Sequence, residues 1–290
     1  MVSWSVLAPV RALLAGVAIG GEAPVALMGV LNVSPESFYA ASVPSNTESL
    51  VATALSMIEA GASIIDVGAR STAPYRSADV TPDEERERLV RAVEALAAKL
   101  PVPVSADTTR ATVAEAALEA GARVVNDVSG LADPAMGGVV RSHGAGVVLM
   151  AHPDLAPSPR PDPVLAVRAA LAAAVARARR SGIPDEHVVL DPGIGFFRDE
   201  AVPWDEWDVR VLAGLATLSD LGRPLAVGVS RKSFIGAITG RANPAERLAG
   251  SLAATALAVV NGAAVIRTHD VADTRDAVVV AERVARAGRR

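Results

Sequence analysis

Eight short apolar runs recur along the 290-residue chain at strand length: Ala26–Val33, Ser63–Gly68, Val102–Asp107, Arg123–Val128, Gly146–His152, His187–Pro192, Pro224–Ser230 and Ala263–His269. Most are continuous rather than alternating, the pattern of strands buried on both faces of a parallel sheet. A segment with helical patterning follows each. Thr81-Pro82-Asp83-Glu84 and Asn243-Pro244-Ala245-Glu246 both offer a cap, a proline at the first helical position and a glutamate at the third, which predicts a capping box at each. Six helices end near a glycine that leads into the next strand: Gly61, Gly121, Gly144, Gly182, Gly222 and Gly262. Glycine there accepts the left-handed backbone that closes a helix. Eight β-α units without a composition break predict a single-domain α/β fold, a closed (β/α)8 TIM barrel. An open doubly wound sheet fits less well, because the strand count is even and no Gly-rich dinucleotide loop follows the first strand.

Two further apolar stretches test this reading. Ala12–Gly20 has the look of a signal-peptide core, yet Trp4 and Pro9 precede it and a strand-like run follows. Residues 1–25 are therefore expected to be a leading segment that closes the barrel base, with residues 26–290 forming the barrel. Leu248–Ile266 is interrupted by Ser251, Thr255, Asn261 and Gly262, which suits a helix followed by a strand better than a membrane span. Composition narrows the chemistry. A hydrophobic content of 51% with 21% charge describes a globular chain, and a net charge of -4 argues against general nucleic-acid binding. The absence of cysteine excludes disulfides, thiolate zinc sites and cysteine nucleophiles, and is compatible with a cytoplasmic location.

In a barrel, only the loops at the carboxyl ends of the strands converge on one mouth. Those ends supply Asn32, Asp66, Asp107, Asn126-Asp127, His152, Asp191, Ser230-Arg231-Lys232, and Arg267 with His269. One such aspartate is more often part of a structural network, and a basic turn is more often solvated. Polar tips on all eight ends favour a binding site. Asp107, Asn126 and Asp191 suit the donor edge of a flat nitrogen heterocycle such as a pterin, with Lys232 reaching a ring carbonyl or nitrogen. Asn32, Arg231 or Arg267, and His269 are placed to face a phosphate group, with Asn32 a candidate Mg2+ ligand. A carboxylate-histidine metal site using His152 and His269 is the lesser option. Asp191-Pro-Gly-Ile-Gly195 lacks the lysine and hydroxyl of a P-loop, so its glycines read as room for backbone to approach a flat ligand. No Gly-x-Ser-x-Gly elbow is present, and His143 and His187 read as structural.

At this point the chain resembles a family. Met28-Gly-Val-Leu-Asn-Val-Ser-Pro-Glu-Ser-Phe38 and Asp66-Val-Gly-Ala-Arg-Ser-Thr-Ala-Pro74 are similar to the first two signatures of dihydropteroate synthases. Ser105–Thr108, Val125–Gly130, Asp191–Phe196, Gly228–Phe234 and Ile266–Val271 match further motifs in the same order. The resemblance implies a pterin-binding barrel, usually a homodimer, that joins 6-hydroxymethyl-dihydropterin diphosphate to 4-aminobenzoate with release of pyrophosphate. Carried over residue by residue, it implies that Asp107, Asn126, Asp191 and Lys232 bind pterin, with Asp107, Asp191 and Lys232 catalytic. It further implies that Asn32 contacts magnesium and diphosphate, that Arg267 and His269 form the anion site, and that Thr72 and Ser230 lie near the arylamine. Some positions depart from the pattern. Ala73 stands where arginine is usual, Tyr75 replaces a glycine, and Arg70 stands where an acidic residue is common. Tyr39-Ala-Ala-Ser42 replaces an acidic, Gly-rich loop, and Phe197-Arg198 replaces Gly-Lys. The altered first and second motifs look similar to an archaeal-like branch, so the second substrate can differ from plain 4-aminobenzoate. The competing expectations are a corrinoid methyltransferase of the same superfamily and a pterin-binding paralogue without catalysis.

Overall fold

The computed structural model describes residues 11–34, 46–70, 80–160, 162–198 and 201–288. The chain enters through a hairpin of β1 (Arg11–Leu14) and β2 (Val17–Gly20), paired antiparallel about Ala15 and Gly16, both at positive φ. Two such residues give the turn whose twist matches that of the flanking strands. Eight parallel strands follow: β3 (Ala26–Asn32), β4 (Ile64–Gly68), β5 (Val104–Asp107), β6 (Val124–Asp127), β7 (Gly146–Met150), β8 (Val188–Asp191), β9 (Leu225–Gly228) and β10 (Ala263–Thr268). They close in sequence order, with β10 pairing back on β3. The fold is the predicted single-domain (β/α)8 barrel.

The helices between the strands are α1 (Thr47–Glu59), α2 (Pro82–Ala97), α3 (Ala111–Glu119), α4 (Met136–Ser142), α5 (Pro163–Arg180), α6 (Trp204–Ala213), α7 (Ser233–Thr239) with α8 (Leu248–Val260), and α9 (Val271–Ala287). The expected box at Thr81 forms in both directions with Glu84. The one expected at Asn243 does not. Pro244–Arg247 is a 3-10 turn, the Asn243 side chain accepts from Ala245 N–H rather than from Glu246, and α8 begins at Leu248. The reason lies across the loop: the Pro244 and Ala245 carbonyls accept from Arg231 Nη1 at 3.0 and 2.9 Å instead of from the next helical turn. All six helix-closing glycines take positive φ.

Burial falls into two clusters. The larger packs the outer strand faces against the helices. The smaller fills the barrel interior with Met28, Ile64, Val124, Val148, Val189, Ala226 and Val265, and includes Leu14 and Ile19 of the hairpin at 0% exposure. A Cβ on Gly146, the first residue of β7, would meet Leu14 Cδ2 at 2.8 Å. The hairpin thus covers the amino-terminal end of the strands, leaving the carboxyl ends as the open mouth. Leu248–Ile266 is α8 followed by β10, and among the described residues no helix is long and apolar enough to cross a membrane. Several strands stop one or two residues before the apolar runs end, so Asp107 and Asp191 are last strand residues while Ser230 and His269 lie just beyond.

Candidate active site

Strand register sets the mouth level by level. Asn32 pairs with Gly68, Gly68 with Asp107 and Asp107 with Asn126, so these four positions share one rung, and Asp66 pairs with Ser105 two rungs below. At this mouth Arg267 of β10 donates from Nε to Asp66 Oδ2 at 2.7 Å and from Nη2 to Asp107 Oδ2 at 2.8 Å. Asn126 Nδ2 donates to the same Asp66 oxygen at 3.1 Å. Three buried acceptors, Asp66 Oδ1, Asp107 Oδ1 and Ser105 Oγ, have no hydrogen-bond partner among the described residues. Buried polar atoms in proteins are generally paired, so open acceptors gathered at one place mark a surface suited to ligand donors.

The opposite wall is built by β8 and β9. Asp191 Oδ1 accepts from Gly193 N–H at 2.7 Å, and Lys232 Nζ donates to the Ile194 carbonyl while lying 5.2 Å from the Phe196 ring centre. Gly193 and Gly195 both have positive φ, and a Cβ on Gly193 would stand 2.6 Å from the Ala151 carbonyl oxygen. The glycines here are required by the turn itself, in addition to any ligand approach.

Burial controls the charges. It raises Asp107 to about 7 against the opposing pull of Arg267, with Asp66 and Glu85 adding to the rise. It also raises Asp191, against Lys232 and the Gly193 N–H, and lowers Lys232, against Asp191 and Asp208. Burial works against the charge of Arg267 too, but Asp66 and Asp107 outweigh it, and the guanidinium holds its proton more firmly than usual. His269 is pushed down to about 3 by burial and by Arg267, so it is neutral near pH 7; its Nδ1 lies 3.0 Å from Ser230 Oγ. These are environments that bring carboxylates and a lysine toward neutral pH, as catalytic sites do.

A family model described as pterin binding enzyme matches residues 28–269, from within β3 to just past the end of β10. The dihydropteroate synthase of Escherichia coli K12 is 38% identical over 261 residues, covering 88% of this chain and 90% of that protein. That of Mycobacterium leprae is 40% identical over 271 residues, covering 89% and 93%. The chain belongs to the dihydropteroate synthase family. A solved structure of the Xanthomonas albilineans synthase with 4-aminobenzoic acid superposes with a TM-score of 0.84 at 38% identity, covering 95% of this chain and 98% of that one.

Within this synthase fold, Asp107, Asn126 and Arg267 come together around Asp66, while Asp191 and Lys232 stand together on the other wall. Thr72 lies outside the described residues, as do Ala73, Tyr75 and Tyr39–Ser42. Arg231, open between binding and bracing in the sequence, is a brace. Its guanidinium is buried, doubly bonded to Asp270 at 2.7 and 2.9 Å, and holds the two carbonyls that begin the turn before α8. Arg70 is also engaged, donating to Thr109 Oγ1 at 3.0 Å and lying 3.3 Å from the buried Glu85, which Arg110 shares at 2.7 Å. The Phe197-Arg198 departure has a clear role. Phe197 stacks on Trp207 at 4.9 Å, and Arg198 lies over Trp204 while donating to the Gly195 carbonyl and Ser233 Oγ. Together they tie the loop after β8 to α6 and α7. His152 Nδ1 accepts from Asp154 N–H and caps a 3-10 turn.

Magnesium takes hard oxygen donors. The point a Cβ on Gly68 would occupy lies 3.7 Å from Asn32 Oδ1 and 3.6 Å from Asp107 Oδ2. Among the described residues no three His, Cys, Asp or Glu side chains cluster to hold a metal alone. Asp107 Oδ2 is held by Arg267, so the oxygen that suits a magnesium ion is Asn32 Oδ1, with the remaining ligands to come from diphosphate and water. Two positions escaped the sequence reading. Asp66 was named only as a strand end, though it is the hub of the Arg267 network. Asp208 of α6 was not named; a carboxylate on the Trp207, Val211, Leu212 face was the available signal.

Proposed function

We propose that this chain is a dihydropteroate synthase acting on 6-hydroxymethyl-7,8-dihydropterin diphosphate and 4-aminobenzoate or a related arylamine. The observation that carries the reading is the set of open buried acceptors on Asp66, Asp107 and Ser105 beside Asn126, facing a wall of Asp191 and Lys232. Paired acceptors match the amino and ring N–H donors of a pterin edge, and Lys232 supplies a cation for its ring carbonyl or nitrogen. In the reaction, the bond from the exocyclic carbon to the diphosphate oxygen breaks. The arylamine nitrogen forms a bond to that carbon and gives up one proton. Asp107 and Asp191, held ionised when donors fill their oxygens, stabilise positive charge developing on the pterin. Arg267, His269 and Asn32 are assigned to the departing diphosphate, and Ser230 and Thr72 to the arylamine side. Mg2+, held by Asn32 with diphosphate oxygens, would neutralise the leaving group's charge.

Further parts of the reading concern assembly. The leading segment expected over residues 1–25 is assigned to closing the barrel base on the strength of its described hairpin, Arg11–Leu14 with Val17–Gly20. Leu257 on α8 and Val279, Val280 and Val284 on α9 are exposed apolar residues, which supports a homodimer built on this face. A cytoplasmic location is in keeping with the cysteine-free sequence. The test is direct: purified protein with magnesium, the pterin diphosphate and 4-aminobenzoate is expected to release pyrophosphate and form dihydropteroate. Tight pterin binding without turnover would leave a non-catalytic paralogue, and methyl transfer to a corrinoid protein would replace the reading.

A further inference from the structure

The peptide unit between Ile194 and Gly195 is held at both ends. Lys232 Nζ donates to the Ile194 carbonyl, and the Gly195 N–H of the same planar unit donates to Asp208 Oδ1 at 2.7 Å. An ammonium and a carboxylate are thereby joined through one amide, each at the end of the dipole that favours it. Hydrogen bonds aligned in this way polarise and strengthen one another. Gly195 has φ +87, and a Cβ there would stand 3.3 Å from Lys232 Cδ, so this turn of the loop lies directly against the lysine stem.

Asp208 is otherwise out of place. It sits at 0% exposure on the face of α6 that carries Trp207, Val211 and Leu212, where an apolar side chain would pack without cost. Its Oδ2 has no hydrogen-bond partner among the described residues. The hydrogen bond from Gly195 N–H is therefore what the carboxylate does there. We propose that Asp208, standing behind the loop, is a positioning residue that fixes the place and charge of Lys232 through the Ile194–Gly195 peptide. This rests on the assignment of Lys232 to the pterin.

The groups facing this pair are few. Asp191 and Asp208 favour the charged lysine, while burial, Arg267 and Arg198 oppose it. Asp208 is pushed up to about 6 by burial, against the Gly195 N–H, Lys232 and Arg198, with Asp205 adding to the rise. Above pH 6 Asp208 is charged and supports the ammonium; well below pH 6 the native side chain carries no more charge than an asparagine.

That crossover gives the test. Asp208→Asn keeps an oxygen for the Gly195 N–H and removes the charge. Affinity for 6-hydroxymethylpterin is followed by fluorescence from pH 5.5 to 9 in both proteins, with turnover of the native protein measured alongside. The variant is expected to bind more weakly at pH 8.5, by about tenfold where the Asp208 charge is worth about 1.4 kcal/mol to the complex, and the gap is expected to shrink as pH falls through 6 toward 5.5. A loss of equal size at every pH, or no loss at any pH, overturns the proposal. A 15N titration of the Lys232 amine decides independently: a lower pKa in the variant supports it, an unchanged one sinks it. Should the native protein bind the probe without making dihydropteroate, the synthase reading fails while this comparison still decides the role of Asp208.

Discussion

Arg267 Nη2 donates to Asp107 Oδ2 across two intervening strands, β3 and β4, at 2.8 Å. The same guanidinium holds Asp66 through Nε at 2.7 Å, so one cation serves two buried carboxylates in the mouth. The bond leaves Asp107 Oδ1 and Asp66 Oδ1 open, which is where donors from a ligand edge can enter without displacing the arginine. Arg267 thus belongs as much to the pterin wall as to the anion site that the sequence motif suggested.

Replacing Arg267 by alanine strips that shared cation. Breaking a buried pair from one side costs about 3–5 kcal/mol, because the remaining charge is left without compensation. The loss is expected to grow with pH. Asp107 already has a folded-state pKa raised to about 7, above its unfolded value, so its ionisation lowers stability progressively as pH rises toward 7. Without Arg267 its pKa rises further, and the variant continues to lose stability above pH 7 where the native protein levels off. Urea denaturation at pH 6 and pH 8.5 checks this; a gap that does not widen would show that the arginine does not govern Asp107.

Arg231 follows the opposite logic. Its side chain points into the α7–α8 turn, onto Asp270 and two carbonyls, and its own carbonyl accepts from Arg247 at 3.0 Å. Arg231→Ala is expected to cost about 3–5 kcal/mol of stability by chemical denaturation. Arg231→Lys should recover little of it, since an ammonium cannot reproduce the planar fork. Pterin affinity of the folded fraction should hold; a large affinity loss at native stability would move Arg231 into the site.

The barrel was legible because parallel strands buried on both faces leave continuous apolar runs, and because six of the intervening segments close on a glycine at positive φ. Asp107, Asn126, Asp191 and Lys232 stood out for the same reason: each breaks an apolar run at its carboxyl end. Arg231 was ambiguous because a basic turn reads alike whether it faces ligand or braces a loop, and its partner Asp270 is 39 positions away. Asp66 and Asp208 hide differently. One sits inside a strand and the other inside a helix, where a lone carboxylate among apolar neighbours stands out but does not say which partner it serves until the tertiary structure is seen.

Gly193 tests how tightly the loop after β8 is fitted. Its φ is +73, and an added Cβ would lie 2.6 Å from the Ala151 carbonyl oxygen, a backbone atom that cannot swing aside. Gly193→Ala is expected to lose about 1–3 kcal/mol from the strained backbone alone, with the clash adding to it. It should also weaken pterin binding, because the Gly193 N–H is what Asp191 Oδ1 holds at 2.7 Å. Native stability and affinity in this variant would mean that the loop relaxes freely and does not position Asp191.

His269 gives the last prediction, with opposite consequences for stability and binding. Burial, reinforced by Arg267, lowers its folded pKa to about 3, against about 6.5 unfolded. A histidine with a depressed folded pKa leaves stability untouched above pH 6.5 and lowers it as pH falls from there toward 3, because only the unfolded chain takes up the proton. At pH 4 this costs on the order of 3 kcal/mol, and His269→Asn should flatten that acid limb in urea denaturation while leaving pH 7.5 unchanged. A diphosphate brought beside the ring reverses the bias, since an anion favours the imidazolium. Binding of pterin diphosphate near pH 6 should then draw protons from the buffer, visible as a calorimetric heat that depends on the buffer's ionisation enthalpy, and the dependence should shrink in His269→Asn. Equal buffer dependence in the two proteins would take His269 out of the diphosphate site and leave it as the partner that holds Ser230.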